Sequence, residues 1–476
     1  MALVNTRPHA LMLPFPSQGH IQAMMQLSKL LYARGFYITF VNTEYIQERL
    51  EASGSVDSVK SWPDFRFETL PDGLPPEHGR TSKLAELCRS FADNGPLHFE
   101  KLIDKLKHSQ PDVPPITCII SDGVVSFPQK TARKLAVPRV SFWTHSACGF
   151  CAYFFAPLLV GKGLIPGKDD DRCLTNGCME QIITCIPGMP PLRVKDLPTS
   201  LRHKDMLEIV TSEAQAALEA DLVLLNTFDE LDRPILDALL KRLPALYTIG
   251  PLVLQAESGN DRVSGISASL WTEETGCVEW LDCQKPYSVI YVCFGSVAVM
   301  SDQELLELAW GLEASKQPFL WVIRPDLIHG DSAVLPSEFL EKVKDRSFLV
   351  KWAPQMKVLT HRSVGGFLTH SGWNSTLESI CAGVPMISWP FLAEQPTNRR
   401  FVSGVWNIGM AMNEVVRRED VEDMVRRLMS GEEGRRMRKR IGELRDESMR
   451  AVGKGGSSYN NTEKFLKEIQ MGLIDS

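Results

Sequence analysis

Residues 352–395, WAPQMKVLTHRSVGGFLTHSGWNSTLESICAGVPMISWPFLAEQ, decide how this chain is read. The apolar run VGGFLT (364–369) predicts a strand, and a His-Ser-Gly-Trp-Asn turn leads from it into a helix expected to begin near Ser375. The first N–H groups of a helix have no partner inside it and sit at the positive end of the aligned peptide dipoles, so the turn is a cradle for an anion such as phosphate. His370, Asn374 and Ser375 add side-chain donors there, and Gly372 has no Cβ to hold a ligand off the backbone. Trp352, closing a strand over 347–351, offers a flat ring for a base to stack on. Glu378, one helical turn beyond Asn374 or Ser375, is an acceptor-only carboxylate suited to a pair of ribose hydroxyls. These parts fit a nucleoside diphosphate. A strand, a small-residue turn and a helix also form one unit of any doubly wound α/β protein, so the turn alone leaves both readings open.

Composition narrows the classes. A chain of 476 residues exceeds what one core organises, so two domains are expected. Hydrophobic and charged contents of 44% and 23% are those of a soluble globular protein. The net charge of −6 gives no support for a nucleic-acid partner. The opening MALVNTRPHALMLPF lacks the charged start and long apolar stretch of a secretory signal. The longest apolar run, Cys148 to Gly161, is too short for a bilayer and reads as a buried helix. An odd total of 11 cysteines reads as reduced thiols rather than a disulfide framework. The expectation is a cytoplasmic protein without an integral membrane segment. Cys148-Gly-Phe-Cys151 has no second CxxC and reads as buried thiols. The sequons at Asn374 and Asn460 need a secretory route that the N-terminus does not offer.

Periodicity predicts strands at 9–15, 36–42, 116–121, 138–143 and 221–225, with a helix over 21–33 stopped by Gly35. A second set follows at 288–294, 319–323 and 347–351, with a helix over 302–315, the strands of the box, and helices after 417. Segment 165–205, rich in Pro, Gly and charge, reads as an irregular excursion. The organisation expected is a first domain over 1–252, a polar linker over 253–275, a second domain over 276–455 and a last helix within 456–476. Ligands of open parallel sheets sit beyond the carboxyl ends of the strands. His20, Asp122, Thr144, Ser296 and His370 all fall just after predicted strands, where they can line one cleft. Alone, His20 reads as a helix cap. With Asp122 at a neighbouring strand end it becomes a general base, because a carboxylate on one imidazole nitrogen fixes the tautomer and raises the basicity of the other. PFPSQGH, the turn before it, is not a GxGxxG dinucleotide fingerprint.

Taken whole, the box resembles the signature of plant secondary-metabolite UDP-glycosyltransferases, with a WxPQ start, an HxGWNSxxE centre and an acidic-Gln end. The resemblance implies the α/β GT-B fold, two Rossmann-like doubly wound domains facing across a cleft, with the last helix (about 459–472) returning to the first domain. It implies direct, inverting transfer of a sugar from a UDP-sugar to a hydroxyl of a small acceptor. His20 would take the acceptor proton, Asp122 would steady the imidazolium, and an α-linked donor would give a β-glycoside. It also implies Ser296, His370, Asn374 and Ser375 at the diphosphate, Trp352 and Gln355 at uracil and ribose, and Glu378 on the ribose hydroxyls. Ala353 and Gly372 complete the UDP-binding residues. Thr144, Trp373, Glu394 and Gln395 would read the sugar, and Gln as the last box residue accompanies glucose donors. Ser371 departs from the family's common Cys at a variable position. UDP-glucose is then a co-substrate, with no cofactor and no metal, and the expected form is a monomer. Asp169-Asp170-Asp171, flanked by Lys168 and Arg172, reads as a solvated loop rather than a metal site.

The acceptor is less legible. Loops about 73–100, 123–128, 145–157 and 178–205 carry Phe127, Phe142, Phe150, Phe154, Phe155, Met189 and Leu197, which suit either an apolar ligand or a core. FETLPDGLP, IISDGVVSF and YTIGPL resemble the branch containing iridoid glucosyltransferases acting on deoxyloganetic acid, and its terpenoid and phenolic relatives. Three further readings use a similar sheet. They are a UDP-sugar binder without transfer, a nicotinamide oxidoreductase, and a carbon-glycosylating enzyme. Intact His20, Asp122 and Gln395 argue against the first, and the missing GxGxxG against the second.

Overall fold

Strands β1 (His9–Leu13) and β2 (Tyr37–Thr43) are buried along their whole length, as apolar runs are when helices cover both faces of a parallel sheet. Between them runs the helix Gln18–Ala33, and Gly35 at φ +87° turns the chain back into β2 without a Cβ clash. The computed structural model describes residues 7–57, 59, 62–76, 78–80, 83–108, 113–165, 177–255, 268–328 and 335–471. The first half continues through β3 (Phe65–Leu70), β4 (Cys118–Asp122) and β5 (Arg139–Trp143) to a small antiparallel ribbon, β6 (Ile182–Ile183) with β7 (Leu192–Arg193). It closes with β8 (Leu222–Leu225) and β9 (Leu246–Thr248), giving a seven-stranded sheet ordered β3-β2-β1-β4-β5-β8-β9.

The second sheet has six parallel strands, β10 (Val289–Cys293), β11 (Phe319–Val322), β12 (Ser347–Val350), β13 (Val364–Thr369), β14 (Met386–Ser388) and β15 (Gly409–Ala411). Their order is β12-β11-β10-β13-β14-β15. Each sheet therefore reverses direction beside its first strand, between β1 and β4 and again between β10 and β13. Such a switch point leaves a crevice at the carboxyl ends, because the flanking connections run to opposite faces. His20, Asp122, Ser296 and His370 stand at these two crevices.

Most predicted strands lie within two residues of the observed ones, and the helix Asp302–Ser315 coincides with its expected range, set by the Ser301/Glu304 capping box. The run Cys148–Gly161 is two helices rather than one. Ala147–Phe154 is buried throughout, whereas Ala156–Gly161 leaves Leu158 and Val160 exposed. Strands β3, β9 and β15 and the two-residue strands β6 and β7 are not among those predicted. Half-exposed β3 lies at the sheet edge, and the three residues of β9 are too few for periodicity to register. Among the described residues, no helix is long and apolar enough to cross a membrane.

The described part of the expected linker is a strap docked on both halves. Gln18 donates to the Ala268 carbonyl at 2.9 Å and accepts from Leu270 N at 2.7 Å, while Glu274 N donates to the Trp352 carbonyl at 2.9 Å. The last helix, Ser457–Met471, packs beside β9 and buries Phe465, Leu466 and Ile469 in the core of the first sheet. Tyr247 Oη donates to Glu468 at 2.7 Å, and Asn461 Nδ2 to Thr248 Oγ1 at 2.8 Å. Phe465 is fully buried. Truncating it, F465A, should destabilise the first half by about 3–5 kcal/mol, the usual cost of a large aromatic cavity. Chemical denaturation followed by tryptophan fluorescence measures this, and a silent F465A would mean that the helix is not held by its apolar face.

Candidate active site

His20 sits in the first turn of helix Gln18–Ala33, and Asp122 is the last residue of β4. The adjacent β1 and β4 bring them together, with Nδ1 2.8 Å from Oδ2. A buried carboxylate holds the proton of Nδ1, so the lone pair is on Nε2. Burial pulls the His20 pKa down, but the charge and hydrogen bond of Asp122, helped by Glu394, more than offset it, and the net shift is upward. For Asp122, burial acts to raise the pKa and His20 to lower it, with a net downward shift. Thr144 Oγ1 lies 2.9 Å from the same Nδ1 and donates to Asp122 Oδ2 at 3.4 Å. Its hydroxyl is thus engaged with the dyad rather than free for the sugar alone.

His145, absent from the sequence reading, packs edge-on against His20 with ring centroids 5.1 Å apart. Its Nε2 is 3.6 Å from Glu394 Oε2 across the cleft. Gly149 permits this approach, since a Cβ there would lie 2.7 Å from that of Glu394.

On the donor side the helix begins at Trp373, not near Ser375, because Gly372 is its extended N-cap. Gly372 has an ordinary φ of −61°; its lack of a Cβ makes room for a side chain. A Cβ there would lie 2.4 Å from His370 Nε2, and one on Gly295 would lie 2.6 Å from the same atom. The two glycines therefore clamp the His370 ring. Burial first, then the nearby Arg324 guanidinium, lower the His370 pKa to about 4. The ring is therefore neutral near pH 7, with a backbone hydrogen bond to Cys293. Arg324, also missed from the sequence, is buried behind this site and donates to the carbonyls of Ser296 and Ala298.

Gln355 Nε2 donates to Ser375 Oγ at 2.9 Å and to Glu378 Oε2 at 2.7 Å, joining three of the expected UDP residues. Burial raises the Glu378 pKa to about 7, so near neutrality the free protein holds it partly protonated rather than as a full carboxylate. Asn374 Nδ2 donates across the cleft to the Gly19 carbonyl at 2.7 Å. Trp373 gives its indole N–H to the Asn226 carbonyl at 2.9 Å, so its remaining polar contribution is main chain at the helix start. Gln395 Oε1 accepts from Phe391 N at 2.8 Å and Leu392 N at 3.0 Å, shaping the loop before it. Trp352 has Trp271 of the strap beside it, with centroids 5.9 Å and planes 28° apart.

Every site residue expected from the sequence except Asp122, which is fully buried, lines one cavity of about 770 Å³ between the two halves. Its apolar end differs from the expected one. Only Phe127 of the predicted acceptor residues lines it. Phe142, Phe150, Phe154 and Leu197 are core, and Phe155 and Met189 pack against that core. Helix Lys204–Gln215 supplies Met206 and Val210 instead, joined by Phe91 and Val124. Cys148 and Cys151 are buried free thiols. Asp169, Asp170 and Asp171 lie outside the described residues.

Comparison with known proteins gives this geometry a family. The profile described as UDP-glucoronosyl and UDP-glucosyl transferase matches residues 263–445. The chain is 49% identical to 7-deoxyloganetin glucosyltransferase of Gardenia jasminoides, over 97% of each chain. It is 46% identical to (R)-mandelonitrile beta-glucosyltransferase of Prunus dulcis, over 98% of each. The crystal structure of Os79 from O. sativa in complex with UDP superposes with a TM-score of 0.80 at 26% identity, covering 97% of this chain and all of that one. With relatives matching it from end to end and two Rossmann-like sheets sharing one cleft, the chain belongs to the plant UDP-glycosyltransferase family and is a GT-B enzyme of that family.

Proposed function

We propose that this enzyme moves glucose from UDP-glucose to a hydroxyl of a small apolar metabolite, with inversion, to give a β-glucoside. The observation that carries the reading is the His20–Asp122 pair, 2.8 Å apart and opening into the same cavity as the Trp373 helix start. His20 Nε2 accepts the proton of the acceptor hydroxyl while its oxygen bonds to the anomeric carbon. The bond from that carbon to the UDP oxygen breaks on the opposite face, and the proton stays on His20, where Asp122 stabilises the imidazolium. UDP leaves with its negative charge towards the free N–H groups of the helix start and the neutral His370.

Trp352 and Gln355 hold uracil and ribose, and Glu378 takes the ribose hydroxyls, a contact that favours its ionised form. Ser296, Ala353, Gly372, Asn374 and Ser375 surround the diphosphate, and Glu394 and Gln395 read the sugar. The acceptor is a terpenoid, iridoid or other small hydroxyl compound, as the relatives' names and the apolar end of the cavity support. The enzyme works as a cytoplasmic monomer without a metal, because the helix start already supplies the charge stabilisation that an ion would give. Incubating it with UDP-glucose and a library of plant hydroxyl compounds, with mass spectrometry for a gain of one hexose, tests the reading. A library that yields no glucoside overturns it.

His20 must be neutral to act, and its pKa is raised above the ordinary 6.5. Activity should therefore fall as pH drops through an apparent pKa above 6.5 that belongs to the dyad, and D122N should move that acid limb to lower pH while lowering kcat. An acid limb that stays in place in D122N would refute the coupling. H20A should lose about a hundred- to ten-thousand-fold in kcat with UDP affinity retained, the usual worth of a general base; near-normal turnover on an unactivated alcohol would remove His20 from the role. Turnover should survive EDTA, and loss restored by Mg²⁺ or Mn²⁺ would show that the helix start is not the whole diphosphate site.

A further inference from the structure

The apolar end of the cavity holds one carboxyl group that the mechanism does not use. Glu213, near the end of helix Lys204–Gln215, lines it alongside Phe91, Val124, Phe127, Met206 and Val210. Its Oε1 accepts a hydrogen bond from Ser126 Oγ at 3.1 Å. Its Oε2 is buried and has no hydrogen-bond partner among the described residues. The guanidinium of Arg139 acts on it through space, while donating to Ser121 Oγ, Gln129 Oε1 and the Val125 carbonyl. Burial pushes the Glu213 pKa up, the hydrogen bond from Ser126 and the charge of Arg139 pull it back, and the charge of Asp122 adds to the rise. Tyr153 Oη and Ser200 Oγ, on the same cavity wall, satisfy each other at 3.0 Å. Glu213 thus brings an incompletely hydrogen-bonded carboxyl group to the wall of an apolar pocket, a costly arrangement unless a ligand completes it.

We propose that Glu213 reads the far end of the acceptor: it takes a hydrogen bond from a hydroxyl remote from the one that is glucosylated, and it excludes acceptors that carry a carboxylate there. The inference rests on the transferase reading above and narrows its acceptor class to neutral, apolar molecules with a second hydrogen-bond donor. Discrimination runs both ways. An acceptor without the donor leaves the carboxyl as incompletely paired as it is in the free protein, whereas one with the donor gains a hydrogen bond to it. An acceptor with a carboxylate sets two negative charges against each other in a low-dielectric site.

The test uses UDP-glucose with 4-hydroxybiphenyl bearing hydrogen, hydroxyl or carboxylate at its 4′ position, in wild type, E213Q and E213L. In wild type, kcat/KM for the 4′-hydroxyl compound, halved for its two equivalent hydroxyls, should exceed that for 4′-hydrogen by about ten- to a hundredfold, the worth of a hydrogen bond to a charged group. The 4′-carboxylate should be the poorest. E213L should abolish the hydroxyl preference. E213Q should relieve the exclusion of carboxylate while keeping part of the hydroxyl preference, since the amide retains a carbonyl acceptor. UDP affinity, measured by calorimetry, is the folding control for both variants. Equal 4′ preferences in wild type and E213L overturn the inference, as does a failure to glucosylate any of the three while UDP-glucose is still bound and slowly hydrolysed. A wild-type enzyme that neither binds nor hydrolyses UDP-glucose would instead overturn the transferase reading.

Discussion

A hydrogen bond of 2.7 Å from the Asn374 amide to the Gly19 carbonyl ties the start of one helix to the start of another across the cleft. Gly19 immediately precedes His20, so this contact sets the distance between the proposed base and the proposed diphosphate cradle. A transferase with its two substrates on separate sheets needs that distance fixed, because a misplacement of about 1 Å can cost a hundredfold in rate. Neighbouring contacts brace it. Trp373 reaches the Asn226 carbonyl, Ser146 donates to Asn398 at 2.6 Å, Thr199 N donates to the Ala393 carbonyl at 2.8 Å, and Thr397 donates to the Asp196 carbonyl at 2.8 Å. These partners are main chain or neutral side chains, and the buried Arg399–Asp196 ion pair, at 3.6 Å, joins the same two halves.

Within that frame, environment rather than residue type separates the ionisable groups. His20 and His370 are both imidazoles lining the cleft, yet one is raised by a paired carboxylate and the other is driven to about 4 by burial beside a guanidinium. Asp122 and Glu378 are both buried carboxyls, yet the first is held ionised by His20 and the second rises to about 7 through burial and the charge of Glu273, against the Gln355 amide. Imidazoles of opposite pKa shift thus arise from the same side chain, and carboxyls of opposite shift from closely similar ones. The ring of His370 keeps its place through sterics, since Gly295 and Gly372 leave room for it and nothing larger.

Much of this was legible in the chain because it is local. Continuous apolar runs such as SVIYVCF announce buried parallel strands, the Ser301/Glu304 pair announces its helix, and the His-Ser-Gly-Trp-Asn stretch announces a strand-to-helix turn. His145 and Arg324 were missed because their meaning comes from partners far off in sequence, Glu394 and the carbonyls of Ser296 and Ala298. The acceptor wall was misread for a related reason. Phe150 and Phe154 lie on a helix buried all round, where an aromatic serves the core whichever way it faces, and composition alone cannot tell a pocket from a core.

Spacing then explains why Glu213 escaped notice as well. Helix Lys204–Gln215 carries charge at 204, 205, 208 and 213, which reads as a solvated face, while its apolar residues Met206, Ile209 and Val210 alternate with them in the ordinary amphipathic manner. Only the fold shows that this helix crosses between the long helix Leu84–His108 and the buried helix Ala147–Phe154, so that both its apolar face and its last carboxyl turn inward. The proposed donor side of the cleft comes mostly from one contiguous box, whereas its apolar end is assembled from segments spread over more than a hundred residues. A sequence can therefore declare its sugar donor plainly and keep its acceptor concealed.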